Sequence, residues 1–266
     1  MNGGTAFYDA AELGRLADVN LARSWALLVR AMGAAVGEAD SAVLVATGFE
    51  AAFFNGVYAT GPVSDPDAVV RDASAFMAEQ RVPWLLWVRE GVDDALLAAG
   101  RRAGMTDAGG PPGMALGSIG PAPESPPELE IELIDSSAGI DIFRDLAARG
   151  FEMPIEFATR LVSEATLSDP GVAAVLGTVA GEPASVALVC VTGTTAGIYM
   201  VATPIEHRRH GYGAAVTWAA IHEGARRGCD HAILQASELG APVYRAMGFV
   251  DIGHYVQLEG PPPDAG

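Results

Sequence analysis

The sequence contains no lysine, so arginine supplies all 16 of its basic residues, against 33 acidic residues and a formal net charge of −17. Nucleic acids and anionic membrane surfaces bind proteins that present a basic footprint. A field of negative sign instead favours the approach of cationic molecules. We therefore expect no nucleic acid and no membrane among the partners, and an anionic ligand requires a local cluster of arginine.

Cysteine and long apolar runs are also scarce. Cys190 and Cys229 lie in apolar segments and match no metal-ligand spacing, so we expect both in the core and no metal site. No apolar run reaches the roughly 20 residues of a membrane-spanning helix, and residues 1–15 lack the basic and then apolar pattern of a secretion signal. These absences predict a soluble, cytoplasmic protein.

A segment rich in proline and glycine, GSIGPAPESPPELE at 117–130, divides the chain into two halves of similar size. Half of the 266 residues are apolar, which is enough for a sizeable core. We assign residues 118–128 to a linker. The predicted domains are 1–117 and 129–260, followed by a flexible tail at 261–266.

Hydrophobic periodicity and turn signals predict a mixed α/β order of elements in both halves. The second helix begins at Ser64 or Asp65, with Pro66 just inside it. The predicted helices are 16–32, 65–80, 140–150, 154–166, one that starts near Tyr212, and 241–247. The predicted strands are 41–48, 53–61, 83–88, 128–134, three between 171 and 203, 231–237, and 249–260.

The two halves resemble each other at two places that occur in the same order. Residues 56–63 resemble 197–205, and the motif at 101–107 resembles the motif at 245–251. The second match pairs Arg101, Gly104, Met105 and Asp107 with Arg245, Gly248, Phe249 and Asp251. Duplication followed by divergence explains both matches, and chance similarity between two α/β units is the alternative.

The stretch HRRHGYG joins a strand that ends near Thr203 to a helix that starts near Tyr212. Arg208, Gly211 and Gly213 have the spacing R-x-x-G-x-G. A helix N-terminus presents unpaired backbone N–H groups and the positive end of the helix dipole, which bind anions. Glycine lets a phosphate approach the backbone, and arginine adds charge-assisted hydrogen bonds. The pattern predicts a pyrophosphate site, and an ordinary turn with a helix cap is the alternative.

In its wider context, IYMVATPIEHRRHGYGAAV, this stretch resembles the acetyl-CoA-binding motif of the GNAT superfamily of N-acetyltransferases. The likeness consists of an apolar strand, a proline four residues before Arg208, and a long Ala-rich helix after Gly213. The later LQASELGAPVYRAMGFVDIG resembles the second marker of the superfamily, a tyrosine four residues before a Gly-Phe pair. Both motifs lie within residues 198–253, and the order of elements extends the likeness back to Glu128.

The resemblance implies an α/β fold of two GNAT-like units, each with a mixed, mostly antiparallel sheet flanked by helices. Splayed strands form an acetyl-CoA slot in the second unit. Ser237 stands where many relatives carry an asparagine that contacts the donor, which puts that contact in doubt. The residues implied to bind acetyl-CoA are Tyr199, Met200, Val201, Arg208, Arg209, His210, Gly211, Tyr212, Gly213, Ala214 and Ser237.

Tyr244 matches the residue that, in this family, protonates the departing CoA thiolate. A phenol has a pKa near 10, so it remains a proton donor at neutral pH. The alternative is a half-buried aromatic side chain that packs on the final strand.

The acceptor amine must lose a proton before it attacks, and the strand at 197–203 carries no glutamate. A water chain that leads to backbone carbonyls would serve in place of a base. Candidate bases are Glu206, His207, Glu238 and Glu152, although each is more commonly a solvated surface charge. Relatives build the acceptor pocket between the first two helices, where a plain helix connector is the alternative. That segment offers Phe151, Glu152, Met153 and Glu156.

The first half lacks both markers, since its loop GPVSDPDAVVRD is acidic and Gly100 stands at the position of Tyr244. We expect this half to have lost donor binding and to cover or shape the second. The predicted function is acetyl-CoA-dependent N-acetyl transfer, by direct attack, to an amine of a small molecule or peptide, by a monomer or homodimer. The alternative is a regulatory protein that binds acyl-CoA or an amine without transferring the acyl group.

Overall fold

The computed structural model describes residues 8–260, and the tail predicted at 261–266 lies outside them. The helices are α1 (Ala10–Ala31), α2 (Pro66–Gln80), α3 (Asp94–Arg102), α4 (Ser137–Phe151), α5 (Ile155–Leu161), α6 (Glu164–Leu167), α7 (Tyr212–Arg226) and α8 (Ala241–Ala246). Strands of the first half are β1 (Ala35–Ala39), β2 (Ala42–Ala46), β3 (Gly56–Ala59), β4 (Leu85–Arg89), β5 (Thr106–Asp107) and β6 (Pro112–Leu116). Strands of the second are β7 (Leu129–Leu133), β8 (Val172–Val179), β9 (Glu182–Thr192), β10 (Thr195–Ala202), β11 (His231–Gln235) and β12 (Val250–Glu259).

Side-chain caps determine where several helices begin. Asp65 rather than Ser64 caps α2, and its carboxylate accepts a 3.0 Å hydrogen bond from the amide three residues on. The single helix predicted at 154–166 is wrong. The chain leaves the helical conformation at Val162, and Ser163 then caps a separate helix, α6, with a 3.2 Å bond from the amide three residues on.

The twelve strands form one mixed sheet. Within residues 8–260, all neighbouring strands are antiparallel except β3/β4 and β10/β11. The order is β1-β2-β3-β4-β12-β6-β11-β10-β9-β8-β7, and β5 pairs with β12 outside this path. This architecture confirms the predicted fold of two α/β units with mostly antiparallel sheets flanked by helices.

The two halves exchange their last strands. β12, from the second half, pairs with β4 of the first, with Tyr255 opposite Arg89. β6, from the first half, lies between β12 and β11, with Gly113 opposite Gly253 on one side and Gln235 on the other. Each half therefore completes the sheet of the other. The division of the chain into two domains stays a prediction.

Helices cover both faces of the sheet. α2, α3, α7 and α8 pack on one face, here called the α7 face, and α1, α4 and α5 cover the other, called the α1 face. Along β11, Ile233 packs against α1, whereas Leu234 and Ala236 pack in the α7-face cluster. None of the helices within residues 8–260 has both the length and the apolar character needed to cross a bilayer.

Helix α1 belongs to the first half but binds strands from both. Asp18 is 2% exposed and accepts hydrogen bonds from Arg89 of β4, at 3.0 Å, and from the Tyr255 hydroxyl of β12, at 2.9 Å. Burial raises the pKa of Asp18, and its hydrogen bond to Arg89 opposes the rise. Asn20 accepts a 2.6 Å bond from the Tyr199 hydroxyl of β10. The bonds from Tyr255 and Tyr199 therefore tie α1 to two strands of the second half.

Candidate active site

The turn between β10 and α7 presents a row of backbone amides. Gly211 caps α7 with a φ of +84°, and Arg209 has a φ of +70°, so both adopt the left-handed region. α7 begins at Tyr212, where the sequence predicts it. No acceptor among residues 8–260 takes a hydrogen bond from the amides of 209–214. Together with the dipole of a 15-residue helix, these amides form an anion site.

Two glycines keep this turn free of side chains. A Cβ on Gly211 would lie 3.5 Å from Pro126 Cγ, and one on Gly213 would lie 3.1 Å from Thr203 Oγ1. Any other residue at Gly211 would also have to adopt a left-handed conformation, which glycine adopts freely and L-residues adopt only at a cost. The turn thus fits a pyrophosphate, whose oxygens require direct approach to the backbone.

The two arginines of the turn have different surroundings. Arg208 is half-buried, its Nε donates to the Thr203 carbonyl at 2.9 Å, and its Nη2 lies 3.5 Å from the Gly150 carbonyl. Arg208 therefore connects the turn to the end of β10 and the end of α4. Arg209 is exposed, so its guanidinium is available to an anion at the turn.

Strands β10 and β11 separate beyond their paired segment. The parallel pairing ends at Gly197 and Ile233. Beyond it, β10 bulges against β9 at Met200, whose φ is +52°, while β11 stays paired with β6 as far as Gln235. A bulge bends a strand and increases its twist. The strands therefore splay, as predicted, and residues 199–201 border the resulting slot.

Tyr244 lies on α8 beside the slot. It packs in the α7-face cluster together with Val201 of β10 and Leu234 of β11, and its ring centroid is 5.8 Å from that of Phe249. Burial raises the pKa of Tyr244 to about 12, and a hydrogen bond with Thr217 opposes the rise. The phenol therefore stays protonated throughout the neutral range, as a general acid requires.

The remaining polar side chains of the predicted donor site are engaged with the protein itself. Ser237 Oγ accepts a 3.1 Å hydrogen bond from the Gly240 amide at the start of α8. The His210 ring stacks on Tyr212 with centroids 5.2 Å apart, and the Tyr212 hydroxyl donates to Glu128 Oε1 at 2.9 Å. These side chains stabilise the turn and the start of α8, which leaves the backbone amides and the Arg209 guanidinium available to a donor.

The segment predicted to form the acceptor pocket follows α4. Phe151 ends α4 and is 45% exposed, and Glu152 caps the helix with a φ of +53°. Met153 packs in the α1-face core, whereas Glu156 is exposed in the first turn of α5. The segment lies beside the end of β10, because the glycine that precedes it packs against that strand. Contact of these side chains with an acceptor stays a prediction.

The candidate bases lie mainly at the surface. Glu206 forms an ion pair with Arg149, and the half-buried His207 lies with both in a groove of about 510 Å³. Glu238 and Glu152 are exposed. The base therefore stays unassigned.

The matching turn of the first half is filled by the protein's own carboxylates. Asp93 accepts a 2.8 Å hydrogen bond from the Val63 amide, and Asp40 accepts one from the Ser64 amide. Asp65 caps the helix that follows. The bond from Ser64 lowers the pKa of Asp40. Carboxylates thus occupy amides whose counterparts in the second half have no partner among residues 8–260.

Within the described part of the first half, the strands that match β10 and β11 do not separate to form a slot. β3 and β4 remain paired through Tyr58 and Trp87, whereas the matching residues Tyr199 and Gln235 are not paired with each other. At the position that matches the tyrosine of α8, a Cβ on Gly100 would already lie 3.0 Å from a neighbouring side chain. A larger residue therefore requires the packing there to rearrange.

Both cysteines lie in the core, away from solvent. Cys190 and Cys229 are buried, as predicted, and burial raises the pKa of their thiols to about 12 and about 11. Across residues 8–260, no three His, Cys, Asp or Glu side chains converge to hold a metal ion.

Sequence reasoning missed three residues that shape the two turns and the slot. Asp93 carried a signal, because it precedes a helix as a typical N-cap, and its second oxygen reaches Val63. Asp40 lies in a hairpin turn far along the chain from Ser64, so no local pattern predicts their contact. Gln235 is part of a buried strand, and its position beside the slot follows only from where the β10/β11 pairing ends.

Comparison with known protein families gives a match within the second half of the chain. Residues 144–249 match the model of the acetyltransferase (GNAT) family. No curated protein matches the chain in sequence.

Solved structures resemble the chain over both halves. A GCN5-related N-acetyltransferase from Kribbella flavida is 22% identical, with 92% of this chain and 95% of that chain covered and a TM-score of 0.73. One from Sphaerobacter thermophilus is 17% identical over 90% and 91% of the two chains, with a TM-score of 0.60. A tandem GNAT protein from the clavulanic acid biosynthesis pathway is 16% identical over 83% and 78%, with a TM-score of 0.55. At these identities the likeness shows the fold alone, and that fold includes a tandem arrangement.

Proposed function

Because residues 144–249 match the model of the acetyltransferase (GNAT) family, we propose that this protein transfers an acetyl group from acetyl-CoA to an amine of a small molecule or peptide. The observation that carries the proposal is the row of unpartnered amides at 209–214, placed beside the slot between β10 and β11. An anion site next to a slot suits a donor that has a pyrophosphate at one end and a thioester at the other.

In this proposal the amides of 209–214 bind the pyrophosphate of acetyl-CoA, and Arg209 adds positive charge. The backbone edge of β10 at 199–201, which β11 does not pair, hydrogen-bonds the pantetheine arm. The thioester then lies between the splayed strands. Acetyl-CoA supplies the acetyl group, and no metal takes part.

The amine nitrogen attacks the thioester carbonyl carbon directly, the carbon–sulfur bond breaks, and the nitrogen loses a proton, which leaves an amide and the CoA thiol. Tyr244 donates its hydroxyl proton to the leaving sulfur and regains a proton from solvent. Its raised pKa keeps the donor form filled at neutral pH. Alignment of amine and thioester in the slot supplies much of the remaining acceleration.

The charge of the chain supports an amine as the acceptor. An alkylamine is protonated in neutral solution, and a net charge of −17 attracts it. The amine must then lose a proton inside the site, to a carboxylate, a histidine or a water chain. The acidic surface thus favours delivery of the acceptor rather than its activation.

A second candidate function is regulatory binding of acyl-CoA or an amine without transfer. The observation that favours it is the weak provision for a base, since Glu206 is paired with Arg149 and Glu238 is exposed. A protonated phenol beside the slot favours the enzyme, because a sensor needs no proton donor there.

Thiol release from acetyl-CoA tests the proposal against a panel of amines, amino acids, aminoglycosides and lysine peptides. We expect saturable release with at least one acceptor, together with an N-acetylated product identified by mass spectrometry. CoA binding in calorimetry without release for any acceptor supports the regulatory function instead. Absence of both binding and release refutes the assignment of the donor site.

A further inference from the structure

We propose that Gln235 binds the acceptor substrate on the α1 face of the slot, and that the acceptor carries a hydrogen-bond-accepting oxygen close to its amine. The inference rests on the proposed acetyl transfer and names its substrate class.

Gln235 lies at the edge of the slot. It ends β11, two residues beyond Ile233, where the pairing with β10 stops. Side chains alternate along a strand, and Leu234 and Ala236 pack in the α7-face cluster. The side chain of Gln235 is therefore on the α1 face, opposite Tyr244 and α7. An amine that reaches the thioester from the face opposite α7 meets this residue.

The amide of Gln235 has an unused donor. Its Nε2 is buried and makes no hydrogen bond with any group in residues 8–260, although the residue as a whole is only half-buried. Buried polar groups in folded proteins are nearly always paired. An unpaired amide at the edge of a slot is therefore a group that a bound molecule can satisfy.

The neighbouring hydroxyls point their own hydrogen bonds at α1, and neither accepts one from Gln235 Nε2. The Tyr199 hydroxyl, on β10 across the slot, donates to Asn20 at 2.6 Å. The Tyr255 hydroxyl donates to Asp18 at 2.9 Å. The residue opposite Gln235 on β6 is Gly113, and a Cβ there would lie 2.9 Å from the Tyr255 ring. Gln235 thus has Gly113 and the Tyr255 ring on its β6 side, and on its β10 side the two strands are no longer paired.

The chemistry of the amide selects the class of acceptor. A side-chain NH2 group donates two hydrogen bonds and accepts none. It pairs with a carbonyl, carboxylate or hydroxyl oxygen but not with a protonated amine. An amine with such an oxygen on a neighbouring carbon, as in an amino-acid amide, satisfies Gln235 while its nitrogen reaches the thioester. A plain alkylamine leaves the donor unpaired.

Trp87 provides a matched comparison. Its Nε1 is also buried without a partner in residues 8–260, and its side chain packs with α1 and Tyr255 on the same face. It lies on β4, however, where the pairing with β3 continues through Tyr58. Removal of this donor therefore deletes a similar unpaired group away from the slot.

The test compares glycinamide with n-propylamine as acceptors for the wild type, Gln235→Leu and Trp87→Phe. For each amine, the kcat/KM of the variant is divided by the kcat/KM of the wild type. This ratio does not depend on the intrinsic reactivity of the amine. We expect Gln235→Leu to lower kcat/KM for glycinamide about tenfold, mainly through KM, as for loss of one hydrogen bond, with a much smaller loss for n-propylamine. Trp87→Phe should change neither ratio, and CoA affinity should be the same in all three proteins.

Equal losses for the two amines in Gln235→Leu, or a loss for neither, would overturn the inference. Transfer to other amines of the panel but not to glycinamide would overturn it as well, while leaving the proposed acetyl transfer intact. Absence of transfer to every amine counts against the proposed function itself. In that case, calorimetry measures the affinity of glycinamide for the CoA-loaded wild type and for CoA-loaded Gln235→Leu. Equal affinities refute the role of Gln235 in acceptor binding.

Discussion

Gly211 is the residue on which the proposed donor site depends most directly. Its left-handed φ turns the chain so that the first amides of α7 and those of the preceding residues lie free of protein acceptors in residues 8–260. The nearest atom to an added Cβ is Pro126 Cγ, at 3.5 Å. The neighbouring protein therefore leaves room at this residue, and the backbone conformation and the ligand restrict what can replace it.

Gly211→Asp places a carboxylate at the proposed phosphate site. Charge repulsion and loss of amide contacts cost about 3 kcal/mol, so the Kd for CoA in titration calorimetry should rise by about two orders of magnitude. Gly228→Asp is the control, because Gly228 also has a left-handed φ, lies beyond the other end of α7, and has no atom within 4 Å of an added Cβ. An unchanged Kd in folded Gly211→Asp contradicts the phosphate site.

Tyr244→Phe keeps the ring packed against Phe249 but removes the proton donor. We expect kcat to fall by about a hundredfold or more, with little change in acetyl-CoA affinity. The defect should shrink for an acyl donor whose leaving thiol has a lower pKa, because a better leaving group needs less protonation. Tyr58→Phe removes a buried hydroxyl from the first half and should have normal kinetics. Equal defects with both acyl donors would indicate lost positioning rather than lost acid catalysis.

At the scale of elements, two similar turns have opposite electrostatic character. The turn before α7 presents amides to solvent, whereas the turn before α2 presents its amides to Asp40 and Asp93. A carboxylate already bound to an amide excludes a phosphate both by occupancy and by charge. The first turn therefore differs from the second because Asp40 and Asp93, which lie on neighbouring elements, bind its amides.

Binding stoichiometry measures this difference. Calorimetry should give one CoA per chain, because the first-half turn is occupied and β3 stays paired with β4 through Tyr58. The same titration of the Gly211→Asp variant should no longer show this one binding event. Two CoA molecules per chain would show that the carboxylates of the first turn can be displaced.

Local signals in the sequence predicted the elements around the site better than the sheet that carries them. The R-x-x-G-x-G spacing located the start of α7 because a helix N-terminus and its glycines are adjacent in the chain. Strand β1 escaped prediction, because Gly37 and Glu38 interrupt its apolar alternation. The exchange of β6 and β12 also escaped, since pairing between distant strands depends on packing that no local window contains. The partner of Asp40 was unpredictable for the same reason.

At the scale of the whole molecule, the exchanged strands make the two halves interdependent. β12 binds β4 along Tyr255 to Glu259, and β6 separates β12 from β11. On the α1 face, Asp18 of α1 also accepts a hydrogen bond from the Tyr255 hydroxyl of β12. The sheet of the proposed catalytic half therefore requires a strand from the other half.

Separate expression tests this dependence. Residues 118–260 alone lack β6 and β4, so β11 and β12 lose neighbours and expose unpaired edges. We expect this fragment to aggregate or to unfold without a cooperative transition in circular dichroism. Mixing it with residues 1–117 should restore cooperative unfolding and a 1:1 complex in size-exclusion chromatography. A fragment that melts cooperatively at the temperature of the full chain would contradict the interdependence.

The exchange of strands also determines how the chain can fold during synthesis. Domains generally fold as units during synthesis, and the N-terminal domain folds first. Here β4 emerges while its partner β12 has still to be translated, because nearly all of the second half lies between them. The nascent chain then carries an open strand edge, which templates pairing with other chains. Demand for chaperones during translation should therefore depend on the delay between β4 and β12, and slow codons in the second half should lower the yield more than those in the first.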